Sequence, residues 1–212
     1  MANLALTKVG QTLTAAIINS IIGRVNRQAL TGIVPASATT SGGGTVTVAA
    51  NGAITFTNAD NVFVSGAFTS DYSNYRFVWN STTRSAAASI QFRHAAGGSE
   101  WANPTYAWLR RQDQGTAAPT STAGTSSTAF PIDSPVAAAV KSDGYVDLFG
   151  PAVGAGSTIG GIASMYDATN GMTQVQVSAR NTQPQAFDGF NLFPTTGTFT
   201  GTLRIYGYND LI

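Results

Sequence analysis

Catalysis and metal binding draw on few side-chain types, and this chain is poor in most of them. Histidine occurs once, at His94, and cysteine is absent. A Ser-His-Asp relay needs a histidine held between a nucleophile and an orienting carboxylate. His94 would have to fill that place, yet it closes the run Ile90-Gln91-Phe92-Arg93 beside Ala95-Ala96-Gly97-Gly98, and no nucleophile-elbow motif stands anywhere in the chain. The position reads as a histidine at a strand end or at a contact between subunits. One histidine without cysteine also leaves no transition-metal ligand set, and no cofactor is expected.

Glycoside hydrolysis would need only two carboxylates at the right separation. The acidic residues are Glu100 and nine aspartates, and pairs such as Asp143 with Asp147, or Asp167 with Asp188, could meet only through the fold. Asp71 in Ser70-Asp71-Tyr72-Ser73-Asn74 and Asp188 in Phe187-Asp188-Gly189 read as turn formers that bond their own backbone. No acidic loop is dense enough for calcium. Neither Gly42-Gly43-Gly44 nor Gly154-Ala155-Gly156 is followed by the Lys-Ser/Thr and helix of a phosphate loop. The expectation is a protein without catalytic activity.

Aromatic residues are the more suggestive group. Trp101, Tyr106 and Trp108 fall within nine residues, Glu100 to Trp108. A strand over 105–111 puts Tyr106, Trp108 and Arg110 on one face, because side chains alternate with period two. That face is either a stacking platform for a sugar or part of the core, the latter being the commoner fate of such rings. Trp101, in a loop bounded by Gly, Asn and Pro, is the better ligand candidate, followed by Tyr72 and Tyr75 of the Asp71 turn.

The surface that carries these rings is short of charge. Of 212 residues 43% are hydrophobic and only 10% charged, against roughly a quarter charged in an average domain. Thr, Ser, Asn, Gln, Gly and Ala take the place of ions, and neutral faces are cheaper to desolvate, which suits packing against other chains or copies of this one. The net charge of +1 comes from scattered residues. They build no basic stripe, so nucleic acid is not an expected partner. No apolar run approaches the length of a membrane helix, and no secretory signal is visible at Met1-Ala2-Asn3-Leu4-Ala5-Leu6-Thr7-Lys8.

The positioning elements read as a short helix, a linker and a β-domain. Thr12 or Thr14 can cap a helix through Ala15-Ala16-Ile17-Ile18-Asn19-Ser20-Ile21-Ile22, with Ile18, Ile21 or Ile22, and Val25 on one stripe. So short a helix is marginal alone. It must dock on its own β-domain, at a threefold junction, or in a socket of a larger particle. Residues 1–34 are therefore expected to be a helical attachment segment and 35–44, Gly/Ser/Thr-rich, a linker. Residues 45–212 are expected to form an antiparallel β-sandwich or jelly-roll-like domain. Its hairpin signals are Asn51-Gly52 between alternating strands, the polar turn inside 68–77, and Pro194-Thr195-Thr196-Gly197 before a closing strand over 198–208. Further strands are expected over 62–68, 75–80, 89–94, 105–111, 145–149, 158–165, 173–180 and 187–193, and 115–128 is expected to be a long surface loop.

The stretch Ser70-Asp71-Tyr72-Ser73-Asn74-Tyr75-Arg76, with Ile90-Gln91-Phe92-Arg93, Phe187-Asp188-Gly189-Phe190 and Gly201-Thr202-Leu203-Arg204-Ile205-Tyr206-Gly207-Tyr208, resembles the C-terminal β-domains of tail-fibre and minor tail proteins of tailed bacteriophages. Gly10-Gln11-Thr12-Leu13-Thr14-Ala15-Ala16 with Asn19 resembles a segment near the start of such proteins. The resemblance implies a homotrimeric virion component, made in the host cytoplasm. Its N-terminus would join other virion proteins, and its outer loops would bind a host receptor, most often a surface glycan. A head fibre or capsid decoration protein has the same needs, and a glycan-degrading depolymerase would require a cleft with two carboxylates. No catalytic residue carries over.

Overall fold

Alternation of apolar and polar side chains sets the strands and decides which way each one faces. Over residues 171–181, Thr173, Val175, Val177, Ala179 and Asn181 turn inward, while Met172, Gln174, Gln176, Ser178 and Arg180 turn out. Tyr75, Phe77 and Trp79 follow the same rule, with Arg76 and Val78 on the opposite face. The computed structural model describes residues 30–115, 117–167 and 171–208, and no helix occurs among them. The expected helical stripe of Ile18, Ile21, Ile22 and Val25 lies outside the described residues.

Among the described residues sixteen strands form two antiparallel sheets. In chain order they are β1 (Thr31–Ile33), β2 (Ser37–Thr39), β3 (Thr45–Val48), β4 (Ile54–Ala59), β5 (Val62–Ser65), β6 (Asn74–Arg84), β7 (Ile90–Ala96) and β8 (Ser99–Glu100). They continue with β9 (Tyr106–Gln114), β10 (Ala117–Ser127), β11 (Phe130–Pro131), β12 (Ser142–Phe149), β13 (Ser157–Asp167), β14 (Gly171–Asn181), β15 (Gly189–Pro194) and β16 (Phe199–Tyr208). The larger sheet runs β10-β9-β14-β13-β12-β6-β16-β4-β3, with β1 also paired to β16. The smaller runs β11-β7-β15-β5-β2, with β8 paired to β7.

The two sheets share one core in a sandwich-like arrangement. Phe77 of the larger sheet lies 4.4 Å from Phe190 and 5.6 Å from Phe92 of the smaller one, ring centre to ring centre. Phe92 stacks on Phe190, and Phe56 meets Phe199 at 4.6 Å. Such tilted and offset contacts suit the ring quadrupoles and add to the burial of apolar area.

Five expectations are revised by the pairing. The run 35–44, read as a linker, contains β2, whose Ala38 pairs with Val64, and β1 binds Ile33 to Ile205 of the last strand. Both pieces are three-residue strands, too short to carry a visible alternation. The supposed surface loop over 115–128 is β10, paired with β9 through two register shifts. An edge strand exposed on both faces needs no apolar alternation, so its Thr/Ser/Ala composition hid it.

The turns at 66–73 and 195–198 are not hairpins either. Each carries the chain from the smaller sheet to the larger, β5 to β6 and β15 to β16. The Asn51-Gly52 signal does give a hairpin, β3 to β4. Gly52 takes a φ of 78°, and the Asn51 side chain accepts from the Ala53 amide at 3.1 Å. A Cβ on Gly52 would fall 2.2 Å from the Ile33 carbonyl oxygen. The turn therefore rests on the end of β1, where only glycine fits.

Within the core sits an ion pair with both side chains fully buried, Arg84 to Asp133. Asp133 also accepts from the Ile90 amide at 2.7 Å and from Ser142 Oγ at 3.2 Å. Ser142 in turn accepts from the Trp79 indole at 3.2 Å, and Arg110 donates to the Asp133 carbonyl at 3.2 Å. Burial draws the Arg84 pKa down to about 10, still far above neutrality. Removing one partner of such a pair strands a charge in low dielectric and costs about 3–5 kcal/mol, whereas an apolar pair of similar volume is close to neutral. Urea unfolding of Asp133→Ala should show a loss of that size. The double substitution Arg84→Met with Asp133→Leu should recover most of it.

Candidate functional site

Each candidate ring takes its environment from the element that carries it. Tyr75 is the second residue of β6 and inherits the inward parity of Phe77 and Trp79, so it is wholly buried and is no ligand-facing residue. Its hydroxyl donates to the Thr69 carbonyl and accepts from the Thr69 amide, both at 2.7 Å, which clamps the 66–73 connection. Burial raises its pKa against the pull of those bonds. The spacing Tyr75-x-Phe77-x-Trp79 carried that signal in the sequence. Tyr72 is half-buried, meeting Tyr75 edge-to-face at 6.2 Å. Its ring covers Gly207, where a Cβ would fall 2.4 Å from ring carbon. It is a packing ring.

Trp101 is placed differently. The β7–β8 hairpin turns through Gly97 and Gly98, both with positive φ, and delivers Ser99, Glu100 and Trp101 to the rim of a cleft of about 550 Å³. Asn103 and Gln185 also line it. The Trp101 amide donates to the His94 carbonyl at 2.8 Å, and the indole stands edge-on to Phe187 at 5.8 Å. Glu100 is held by Arg93 and accepts from Asn191 Nδ2 at 2.6 Å. Arg93 is itself fixed, donating to the Thr128 carbonyl at 3.0 Å and covering the Phe193 ring at 4.7 Å. Trp101 Nε1 and Asp188 Oδ1 are buried without a hydrogen-bond partner.

Tyr106, Trp108 and Arg110 do share one face of β9, and that face looks into the core. Trp108 donates to Ser127 Oγ at 3.1 Å, and Arg110 belongs to the Asp133 cluster. These residues are scaffold.

His94 is neither exposed nor at an interface within the chain. It lies fully buried in β7 beneath Phe187, whose ring stacks on it at 4.3 Å. Its Nε2 is 3.0 Å from Ser157 Oγ and its Nδ1 is 3.0 Å from Tyr106 Oη. The same hydroxyl accepts from the His94 amide at 2.8 Å. Sequence reasoning missed this grouping, since 63 residues separate His94 from Ser157 and no local motif links them. A serine, a histidine and an orienting hydroxyl are the parts of a nucleophilic relay, but Ser157 is 1% exposed and the other two are fully buried. Burial drives the His94 pKa from 6.5 to about 3 and the Tyr106 pKa up to about 12. A general base is effective when its pKa lies near the working pH, so this ring is arranged to stay neutral.

The carboxylates are dispersed. Asp147 is committed to Arg76 by two bonds, 2.8 and 2.7 Å, and that guanidinium also covers Tyr145 at 4.5 Å. Asp143 occupies the same face of β12, two places beyond Tyr145. Asp167 and Asp188 lie at opposite ends of the sheets, separated by the length of β13. Asp71 bonds locally with Thr69. Asp188 bridges neighbouring loops instead of its own turn: its carbonyl accepts from Ala67 and Phe68, and its Oδ2 accepts from Gly97. Among the described residues no three His, Cys, Asp or Glu side chains gather as a metal would require, and no helix is long and apolar enough to cross a membrane.

No protein-family model matches the sequence, and no curated protein matches it.

The depressed His94 pKa has a defined consequence for stability. Below pH 6.5 the unfolded chain takes up a proton that the folded chain refuses until about pH 3. The His94 contribution is therefore complete above 6.5 and declines as pH falls towards 3, by up to about 1.4 kcal/mol per pH unit. Urea titrations at pH 7 and pH 5 should differ by this term in the wild type. The pH-dependent part should vanish in His94→Gln.

Proposed function

We propose that this chain is a structural protein of a bacteriophage particle, of tail-fibre or receptor-binding type. It joins other virion proteins through its N-terminal segment and presents the β-domain to a glycan of the host surface. The observation that carries this reading is the pairing of a rigid two-sheet scaffold with a preformed cleft at Trp101, while the nucleophilic grouping at His94 is sealed. Adhesion needs the former; chemistry would need the latter open. The charge-poor composition and the family resemblance of the 70–76, 90–93, 187–190 and 201–208 stretches support it. The same neutral surface suits a homotrimer, with the Ile18, Ile21, Ile22 and Val25 stripe as attachment device.

A head fibre or capsid decoration protein is the second reading, favoured by one feature of the larger sheet. Leu109 and Phe149 are 52% and 41% exposed on its outer face, beside a shallow apolar groove. Such a surface fits a neighbouring protein better than a sugar. A depolymerase is less supported, since Asp147 is paired with Arg76 and Glu100 with Arg93, and Asp167 lies the length of β13 from Asp188.

Electron microscopy of the intact particle tests the reading: density for this domain should stand at the tail, capsid density would select the second reading, and absence from the particle would refute both. Mass photometry of the pure protein should give three chain masses, and a stable monomer would refute the trimer. The attachment boundary moves with β1. Deleting residues 1–29 should leave a soluble β-domain that no longer incorporates. Extending the deletion through residue 36 removes the β1 ladder on β16 and should lower thermal stability as well.

A further inference from the structure

The geometry points to the Trp101 cleft as a binding site for an uncharged saccharide, an inference that rests on the adhesion reading and specifies its ligand. The lining alternates a flat apolar surface with groups that both give and take hydrogen bonds. The Trp101 indole supplies the surface, and Ser99, Glu100, Asn103 and Gln185 supply the polar groups. Sugars present the same combination, an apolar ring face rimmed by hydroxyls that donate and accept. The cleft's volume, about 550 Å³, lies within the range of small-ligand sites.

Charge narrows the class. No lysine or arginine lines the cleft, and its carboxylate, Glu100, is already neutralised by Arg93. Asp188, bonded to the lining residue Gly97, adds a further negative group. A uronic acid, sialic acid or phosphorylated sugar would bring its anion to a wall with nothing to receive it, and desolvating that anion unpaired is costly. A neutral hexose meets no such penalty. The acceptors are oriented in advance: Glu100 is fixed from two sides and keeps lone pairs free. Gln185 Nε2 is tied to the Ala186 carbonyl at 2.9 Å, which leaves its amide oxygen to accept. Pre-orientation lowers the entropy lost on binding.

The test uses the full-length protein and two sets of probes. One comprises methyl glycosides of neutral hexoses and N-acetylhexosamines; the other comprises glucuronate, galacturonate and sialic acid. NMR titration should show saturable binding of at least one neutral glycoside and none of the acids. Trp101→Ala, Asn103→Ala and Gln185→Ala should each weaken it, the first by about tenfold or more, with unchanged melting temperature for the two loop variants. Asn103 and Gln185 keep the test decisive if loss of the indole disturbs Phe187. Failure of every neutral glycoside to bind, preference for an acid, or unchanged affinity in both loop variants would overturn the proposal. Glycoside binding by a protein absent from the particle would sustain this site and sink the virion reading, while a tail protein that ignores all the probes would do the reverse.

Discussion

A carboxylate fully removed from water must be surrounded by donors, and Asp133 meets that demand by drawing both sheets to itself. It takes Arg84 from the end of β6, the Ile90 amide from the start of β7, and Ser142 from the start of β12. Its own carbonyl receives Arg110 of β9. Those strands belong to different sheets and are widely spaced in sequence, so the cluster can be satisfied only when the strands stand in their native registers. Burying ions is a poor way to gain net stability. Here the pair serves as a specifying constraint, because a slip of one residue would turn Arg84 to solvent and leave the carboxylate stranded.

The second polar grouping, at the opposite end of the sandwich, works by the same logic without charge. His94, Tyr106 and Ser157 come from β7, β9 and β13, and Phe187 covers them. The Trp101 loop is built directly on this grouping, through the His94 carbonyl and the Phe187 ring. A cleft carried on loops is as well positioned as the frame beneath it, and here the frame is a hydrogen-bonded block locked by stacked rings. Two buried polar clusters, one ionic and one neutral, thus pin the two ends of a core that is mainly aromatic and aliphatic.

What the sequence disclosed follows from which forces are local. Alternation exposed β6, β9, β14 and β16 because their apolar residues recur at every second place, and Asn51-Gly52 disclosed the β3–β4 turn because its backbone angles are set by the two residues themselves. β10 escaped because an edge strand lacks an inward face to bury. β1 and β2 escaped because three residues show no period. The turns at 66–73 and 195–198 were visible as turns, but turn chemistry does not say whether the next strand pairs with the last or crosses to another sheet. Trp101 was legible as a loop ring with polar neighbours. Gln185 and the Arg93–Glu100–Asn191 support were not, since residues some ninety apart meet there only by folding. Tyr75 was misjudged for want of counting its parity with Trp79. The Arg84–Asp133 pair had no local sequence signal, since 49 residues separate its two charges.

The short ladder between β1 and β16 also decides how this domain responds to tension. Thr31 lies against Gly207 and Ile33 against Ile205, and β16 is flanked by β6 along nearly its whole length. A pull on residue 30 directed along β1 loads the rungs of that ladder side by side, in shear, where a pull across the strand would open them one at a time. The force then passes into an interior strand of the larger sheet. The Asn51-Gly52 turn is seated against the Ile33 carbonyl, so withdrawing β1 must disturb that seat too. Resistance of this kind is a matter of unfolding rate and not of equilibrium stability. A chain tethered by its first residues would therefore carry mechanical load through the three residues of β1, Thr31, Gly32 and Ile33.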